Sequence, residues 1–278
     1  MAASDLATLA DLKTWLSGSS GIGSSDDALI ARLITDVSGA IAAYLGRPSL
    51  TPRLVMERLD GNDRTRVYLR HYPVLQVVSL LIDTIAVPAL PATATAPFAK
   101  GYLLEAWDGL PPGRPQALDV FRTFYRRGRQ NVVVDYTAGY AVQGEAATVP
   151  AAPGPYTVTV AAPFGPWASD VGVTFATGAP LVAVTGPPAA TQYNVSGGTY
   201  TFAAADAGAN VLISYGYVPA AIHNACIEWA AERYRYRTRI GQSAQTVQGQ
   251  QTATYSLKDM PDFIRASLDP YRNVVVGS

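Results

Sequence analysis

The sequence predicts an α+β protein: a core of long amphipathic helices with a small antiparallel sheet, plus an inserted all-β, sandwich-like domain. Three observations predict it. Two long stretches, ending near Leu45 and near Ile240, repeat their apolar residues at helical spacing. Between them lie short β-branched runs bounded by turn residues. Within that region, residues 143–217 are rich in Gly, Ala, Pro, Thr and Val and contain no Lys or Arg. The predicted organisation is 1–142 for the N-terminal part of the core, 143–217 for the inserted domain, and 218–278 for the C-terminal helix and arm.

Leu6, Leu9, Leu12, Trp15 and Leu16 predict a first short helix, which Gly18 stops. A Gly/Ser loop follows. Ser24 or Ser25 is placed to cap the second helix, with Asp26 and Asp27 in its first turn, where the helix dipole favours acids. On that helix Ile30, Leu33, Ile34, Val37, Ile41, Tyr44 and Leu45 share one face, and Arg32, Thr35, Asp36 and Gly39 lie opposite. Gly46 ends it and Pro48 prevents its resumption.

Arg53–Leu59 and Arg66–Tyr72 read as strands on either side of the turn Asp60-Gly61-Asn62-Asp63. Val74–Ile82 reads as a third, residues 86–100 as an Ala/Pro-rich loop, and Tyr102–Leu104, Ala117–Val120 and Asn131–Tyr136 as short strands. In 143–217, alternating runs recur at 156–160, 171–175, 181–184, 192–195, 199–203 and 210–215, with Gly197-Gly198 as a hairpin signal. Val218-Pro219 opens the long helix to about Ile240. Gln242–Thr254 is polar and Gln-rich, a loop or flexible arm; Met260-Pro261 starts a last helix, closed by Pro270.

Composition narrows the function classes. Hydrophobic residues make up 49% of the 278, charged residues 15%, and the formal net charge is +0. Such a chain gains no long-range attraction to nucleic acid or membrane from its overall charge, and neutrality favours self-association. One cysteine, Cys226, permits no intrachain disulfide. The acidic N-terminus is no signal peptide, and no run reaches the roughly 18 apolar residues of a membrane span. A soluble protein made in the cytoplasm is expected. Neither histidine, His71 or His223, has metal-ligand spacing to a second donor. Gly21-Ile22-Gly23 lacks the third glycine of a phosphate-binding turn and follows a helix, and no nucleophile elbow or P-loop occurs. No catalytic residue, cofactor or metal is expected.

The basic residues are 18 Arg and only 3 Lys. Arginine makes planar bidentate contacts with carboxylate or phosphate and tolerates interfaces better than lysine. Arg122, Arg126, Arg127 and Arg129 are interleaved with Phe121, Phe124 and Tyr125, and no acid lies between Arg122 and Asn131. Two readings remain open: a phosphate contact, or a solvated hairpin or subunit interface. On the long helix, Arg233 and Arg237 project onto the face of Ile222, Cys226, Trp229 and Ile240. An unpaired buried arginine costs several kcal/mol. So either they meet acids, in the core or between subunits, or the apolar face ends before Arg233. Trp229, Arg233 and Arg237 are the candidate subunit interface.

Both ends of the chain resemble the phage head–tail connector (adaptor) family. The stretches that carry the resemblance are 11–16, 26–34 and 43–47 for the opening helices, Arg70-His71-Tyr72-Pro73-Val74 with Val77-Val78-Ser79 for the central strands, and Val134–Tyr140 for the last strand. Val218-Pro219-Ala220-Ala221-Ile222, Arg235-Tyr236-Arg237, Met260-Pro261 and Leu268–Arg272 complete it. The departure is 143–217, which is similar to small β modules decorating other virion proteins. The resemblance implies a helical connector core and a structural virion protein without catalysis. It implies a homo-oligomeric ring, usually dodecameric, in the head–tail neck. Such a ring sits beneath the portal protein, extends the channel for viral double-stranded DNA, and offers a platform to a stopper, tail or other neck protein.

Family adaptors commonly hold the portal with the C-terminal segment, here from about Gln242, which makes Tyr255, Leu257, Tyr271, Val274 and Val275 candidate portal contacts. Arg122, Arg126, Arg127 and Arg129 are candidates to line the DNA channel. Two alternatives stand beside this reading. One is a virion module binding carbohydrate or a receptor, with an exposed aromatic cluster of Phe164, Trp167 and Tyr193. The other is an enzyme such as a cell-wall hydrolase, which needs a paired-carboxylate or metal constellation.

Overall fold

The computed structural model describes residues 5–17, 23–91, 99–237, 244–247, 251–254 and 260–274. The fold is mixed α+β with several antiparallel sheets. Packing divides the chain into two units, one of Ser49–Pro219 with Asn273–Ser278, the other of Met1–Pro48 with Ala220–Arg272.

The first sheet of the β unit has the order β1 (Arg53–Gly61), β7 (Gly128–Ala138), β3 (Val74–Ile82), β4 (Ile85–Ala86). A second has the order β2 (Arg66–Tyr68), β6 (Ala117–Phe121), β5 (Gly101–Leu104). Strand β7 shows why these residues form a sheet. Its Val132, Val134, Tyr136 and Ala138 point inward and its alternate residues outward, the period of two that a half-buried strand requires. They share one apolar cluster with Leu59, Val67, Leu69, Leu80, Leu118 and Tyr125. Each large side chain so buried contributes about 1.5–3 kcal/mol.

The strands on either side of Asp60–Asp63 do not pair with each other. β1 pairs with β7 and β2 with β6. The eleven-residue β7 offers β1 a far longer ladder than the three residues of β2. The second strand also stops at Tyr68, short of Tyr72.

Residues 141–217 contribute two further sheets: β10 (Trp167–Phe175), β14 (Asn210–Tyr217) and β8 (Ala141–Thr148), then β11 (Val182–Ala183), β12 (Gln192–Ser196), β13 (Thr199–Phe202) and β9 (Thr157–Thr159). They share a second apolar cluster around Val173, Tyr193, Tyr200, Ile213 and Tyr215. Its tyrosines are buried yet satisfied. Tyr193 and Tyr200 donate to Asp170 at 2.5 and 3.0 Å, and Tyr215 donates to Glu145 at 2.5 Å. Burial, then the neighbouring carboxylate, pushes the Tyr193 and Tyr215 phenols upward, so they stay neutral donors. Gly197-Gly198 forms the expected two-residue turn. Ser196 pairs with Thr199, and both glycines are left-handed, at φ 56° and 84°, which a β-carbon would disfavour.

The helical unit contains α1 (Leu9–Ser17), α2 (Asp27–Leu45), α3 (Ala220–Tyr236) and α4 (Asp262–Leu268). Ile30, Ile34, Val37 and Ile41 of α2 are fully buried, and α2 packs on α3, where Ile222, Cys226 and Ala230 are fully buried. By length and composition, the segment Ser24–Leu45 could cross a membrane, but its inward face is occupied by this packing. The expected serine cap is not made. Ser24–Asp26 forms a 3-10 turn that starts after Gly23, and Asp26, the residue before α2, makes no side-chain cap. Gly46 closes α2 as a left-handed C-cap. The expected end of α3 at Ile240 lies outside the described residues.

His223 is structural: its Nδ1 lies 2.8 Å from the Leu6 carbonyl, which can only accept, so Nδ1 carries the proton. Arg47 Nε donates to the Tyr271 carbonyl at 2.8 Å, and Tyr44 donates to Asp269, fixing the segment after α4. Part of the Gln-rich segment expected as a loop is a two-stranded ribbon, β15 (Ala244–Val247) paired with β16 (Gln251–Thr254).

Cys226 is buried beside Ser38, with the two side-chain atoms 3.6 Å apart. Burial pushes its thiol up to about 11. The reactive thiolate is therefore scarce at pH 8. A thiol reagent is expected to leave the native chain unlabelled at that pH and to label it fully in denaturant; rapid native labelling counts against this packing.

Candidate functional site

The four clustered arginines sit where β6 turns into β7, and all four are exposed. The loop is anchored by Tyr125, which is fully buried, donates its hydroxyl to the Leu118 carbonyl at 2.9 Å and its amide to the Arg64 carbonyl at 2.8 Å. Phe124, next to it, stays 45% exposed. Arg122 takes a left-handed φ of 56°.

Polar groups distant in sequence lock this backbone. Asp63 accepts from the Arg127 amide at 2.8 Å and Asp60 from the Gln130 amide at 2.6 Å. Asn131 is the clamp. Its Nδ2 donates to the Arg126 carbonyl at 2.8 Å and to Asp83 at 2.9 Å, while its Oδ1 accepts from the Gly61 amide at 2.9 Å. Gly61 makes room: a β-carbon there would lie 1.7 Å from the Arg126 carbonyl oxygen.

The electrostatic result is specific. The nearby acids bond backbone amides, and among the described residues no carboxylate lies within 4.0 Å of the guanidinium of Arg126, Arg127 or Arg129. Arg66 differs: it makes a bidentate pair with Asp119 at 2.6 and 2.7 Å. A held loop with unneutralised guanidinium groups and an exposed aromatic ring suits phosphate contact.

The second candidate group is partly self-satisfied. Trp229 is 3% exposed, whereas Arg233 and Arg237 are exposed, so the apolar face of α3 ends before Arg233. Arg233 lies over the Trp229 ring at 4.9 Å. Arg237 finds its acid within the chain, Asp26 at 2.8 Å, to which Tyr234 also donates. The need for an acid from another subunit therefore does not arise for Arg237.

Asp26, placed by its sequence position as a helix-start acid, serves instead as this anchor. The Arg237 hydrogen bond, then that of Tyr234, holds the Asp26 carboxyl below its ordinary value. A depressed carboxylate contributes stability that is present above its unfolded value, near 4, and lost as pH falls through the folded one. Amide exchange at residues 233–237 is expected to quicken as pH drops below about 4 beyond the intrinsic trend, and Asp26→Asn to abolish that pH-dependent component. An identical profile in the variant contradicts the anchor.

Of the five candidate portal contacts, Tyr255, Leu257 and Val275 lie outside the described residues. Tyr271 is buried at 8% exposure; Val274 is 62% exposed, its amide donating to the Tyr72 hydroxyl at 3.1 Å.

The exposed aromatic cluster of the carbohydrate alternative does not form. Tyr193 is 2% exposed, Trp167 donates to the Tyr200 hydroxyl at 3.3 Å, and Phe164 lies 5.6 Å from the Tyr217 ring. An open cleft of about 400 Å³ is lined by Glu105, Trp107, Gln116 and Phe164 among others. Three of its polar groups are engaged: Glu105 pairs with Arg114 at 3.1 Å, Gln116 accepts from the Val74 amide at 2.6 Å, and Trp107 donates to the Leu110 carbonyl at 3.1 Å. Among the described residues, no group of three His, Cys, Asp or Glu side chains could hold a metal.

Fold and loop together define a two-unit α+β chain that displays a held, basic, aromatic-bearing turn. No model of a known protein family matches it, and no curated protein does. Among solved structures, a chain in the "Virion of native gene transfer agent (GTA) particle" is 14% identical, over 96% of this chain and 90% of that one, at a TM-score of 0.41. A chain in the "Neck of empty GTA particle computed with C6 symmetry" is 12% identical, over 99% and 94%, also at 0.41. At these scores neither likeness carries a functional argument.

Proposed function

We propose that this chain is a structural subunit of a tailed-phage neck, a head–tail adaptor that acts as one copy in a ring, without catalysis. The observation that carries the DNA-facing part is the loop Arg122–Arg129: exposed guanidinium groups on a locked backbone, in a chain whose net charge is +0. A neutral wall with a few fixed arginines lets double-stranded DNA slide while still contacting phosphates; a strongly basic wall would retain it. The ordered motifs at both ends of the chain support the adaptor assignment. In this reading 1–142 and 218–278 make the connector core and 143–217 is a decorating insertion. The C-terminal segment from about Gln242 holds the portal protein, with Tyr255, Leu257, Tyr271, Val274 and Val275 as candidate contacts, and Trp229, Arg233 and Arg237 lie at the subunit boundary. A stopper or tail protein meets the opposite face. The protein works in the virion neck after assembly in the host cytoplasm.

Mass photometry of the purified chain, alone and mixed with the portal protein of the same particle, tests this. A closed oligomer, dodecameric on the family pattern, is expected on the portal. A chain that stays single and does not bind the portal overturns the reading.

A further inference from the structure

Among the described residues, two backbone features lack strand partners, and they are complementary. The ribbon β15–β16 forms a sheet of two strands, with no third strand among the described residues. A lone two-stranded ribbon is marginally stable in water at best, so it gains from a further strand. Strand β1 ends its sheet, and among the described residues no strand or isolated bridge pairs with its outer edge.

That edge is guarded at its ends and by Glu57, with Arg53, Arg58 and Asp60 along β1 and a register shift between Leu59 and Gly61, but it leaves an apolar stretch open. Native edge strands are normally protected by bulges, prolines or charges, because unpaired N–H and C=O groups template foreign strands. The β1 ladder is unbroken from Arg53 to Leu59, and Leu54 and Met56 are 69% and 66% exposed. The β10 ladder carries two register irregularities, and the β8 ladder, like that of β1, carries one. Residues 244–247 and 251–254 carry no charge, so strand pairing there desolvates no ion.

We propose that the ribbon β15–β16 of one copy adds to the outer edge of β1 in the next, joining neighbours head to tail by strand augmentation. Main-chain hydrogen bonds supply the affinity, and Leu54 and Met56 supply apolar cover. Such a contact uses two different patches, so it closes into a ring when the rotation permits. The inference rests on the ring reading above and specifies its joint: it gives β15–β16 to the neighbouring copy and leaves the portal contacts to the candidate residues from Tyr255 onward.

Two full-length variants test it. The edge variant carries Leu54→Lys and Met56→Lys, both at exposed positions. The ribbon variant replaces residues 244–254 with a Gly/Ser linker of equal length. Circular dichroism and thermal melting check that both fold. In native mass spectrometry at rising concentration, the wild-type chain is expected to assemble and each variant alone to stay single. Mixed, they should form one-to-one pairs and nothing larger, because only one intact junction is available. A variant that assembles like the wild type, or a mixture that does not pair, overturns the joint while a wild-type ring leaves the neck reading standing. A wild-type chain that stays single with and without the portal protein overturns both.

Discussion

Alanine at Arg126, Arg127 and Arg129 together is expected to reduce the salt dependence of double-stranded DNA binding by about three units of log affinity per log salt. Each phosphate neutralised releases condensed counterions and contributes about 0.9 to that slope. These three side chains are exposed and, among the described residues, meet no carboxylate, so their charge is available to a ligand. Fold stability is expected to change by less than about 0.5 kcal/mol, as for surface substitutions away from packed features. The pairing of an altered slope with an unaltered melt separates a lost contact from a damaged loop. Titration of a DNA duplex at several salt concentrations reads the slope. A variant whose slope equals that of the wild type shows that these arginines meet no phosphate.

Gly61→Ala is expected to unseat the same loop without touching a charge. The added methyl would sit 1.7 Å from the Arg126 carbonyl oxygen and 2.7 Å from its carbon, both backbone atoms that no side-chain rotation can move aside. Relief requires the loop to separate from β1. That movement breaks the clamp in which Asn131 accepts from the Gly61 amide and donates to the Arg126 carbonyl. Overpacking costs about 1–3 kcal/mol, and each disrupted hydrogen bond adds about 1 kcal/mol. A total of about 3 kcal/mol lowers the melting temperature of a chain this size by about 6–12 °C. DNA affinity should fall with it, because the guanidinium groups lose their fixed spacing. An unaltered melt contradicts the close approach of loop and strand.

The helical elements were legible from periodicity. On α2, seven residues were assigned to the inward face: Ile30, Ile34, Val37, Ile41 and Leu45 are buried, whereas Leu33 and Tyr44, at the margin of that face, are half-buried. Turn chemistry was equally informative at Gly197-Gly198. Sequence reasoning missed β8, because Ala141–Thr148 (AVQGEAAT) has little strand propensity; pairing with β14 makes it a strand. The ribbon β15–β16 was missed for a different reason: its Gln and Thr residues show no apolar alternation.

The arginine cluster was visible as composition, but its support was not. Asp60 and Asp63 looked like turn residues between two adjacent strands. They serve instead to hold a loop more than 60 positions away, and Asn131 and Gly61 gave no local signal for that partnership. Asp26 shows the same limit. A helix-start acid and a partner for Arg237 have identical local sequence, and only the 211-residue separation closed by folding tells them apart.

A cryo-electron microscopy reconstruction of the chain assembled on its portal decides the matter. It should show a closed ring with residues 122–129 of every copy facing the bore at the radius of the DNA backbone. The same loops on the outer wall, or a subunit found elsewhere than the neck, would contradict it.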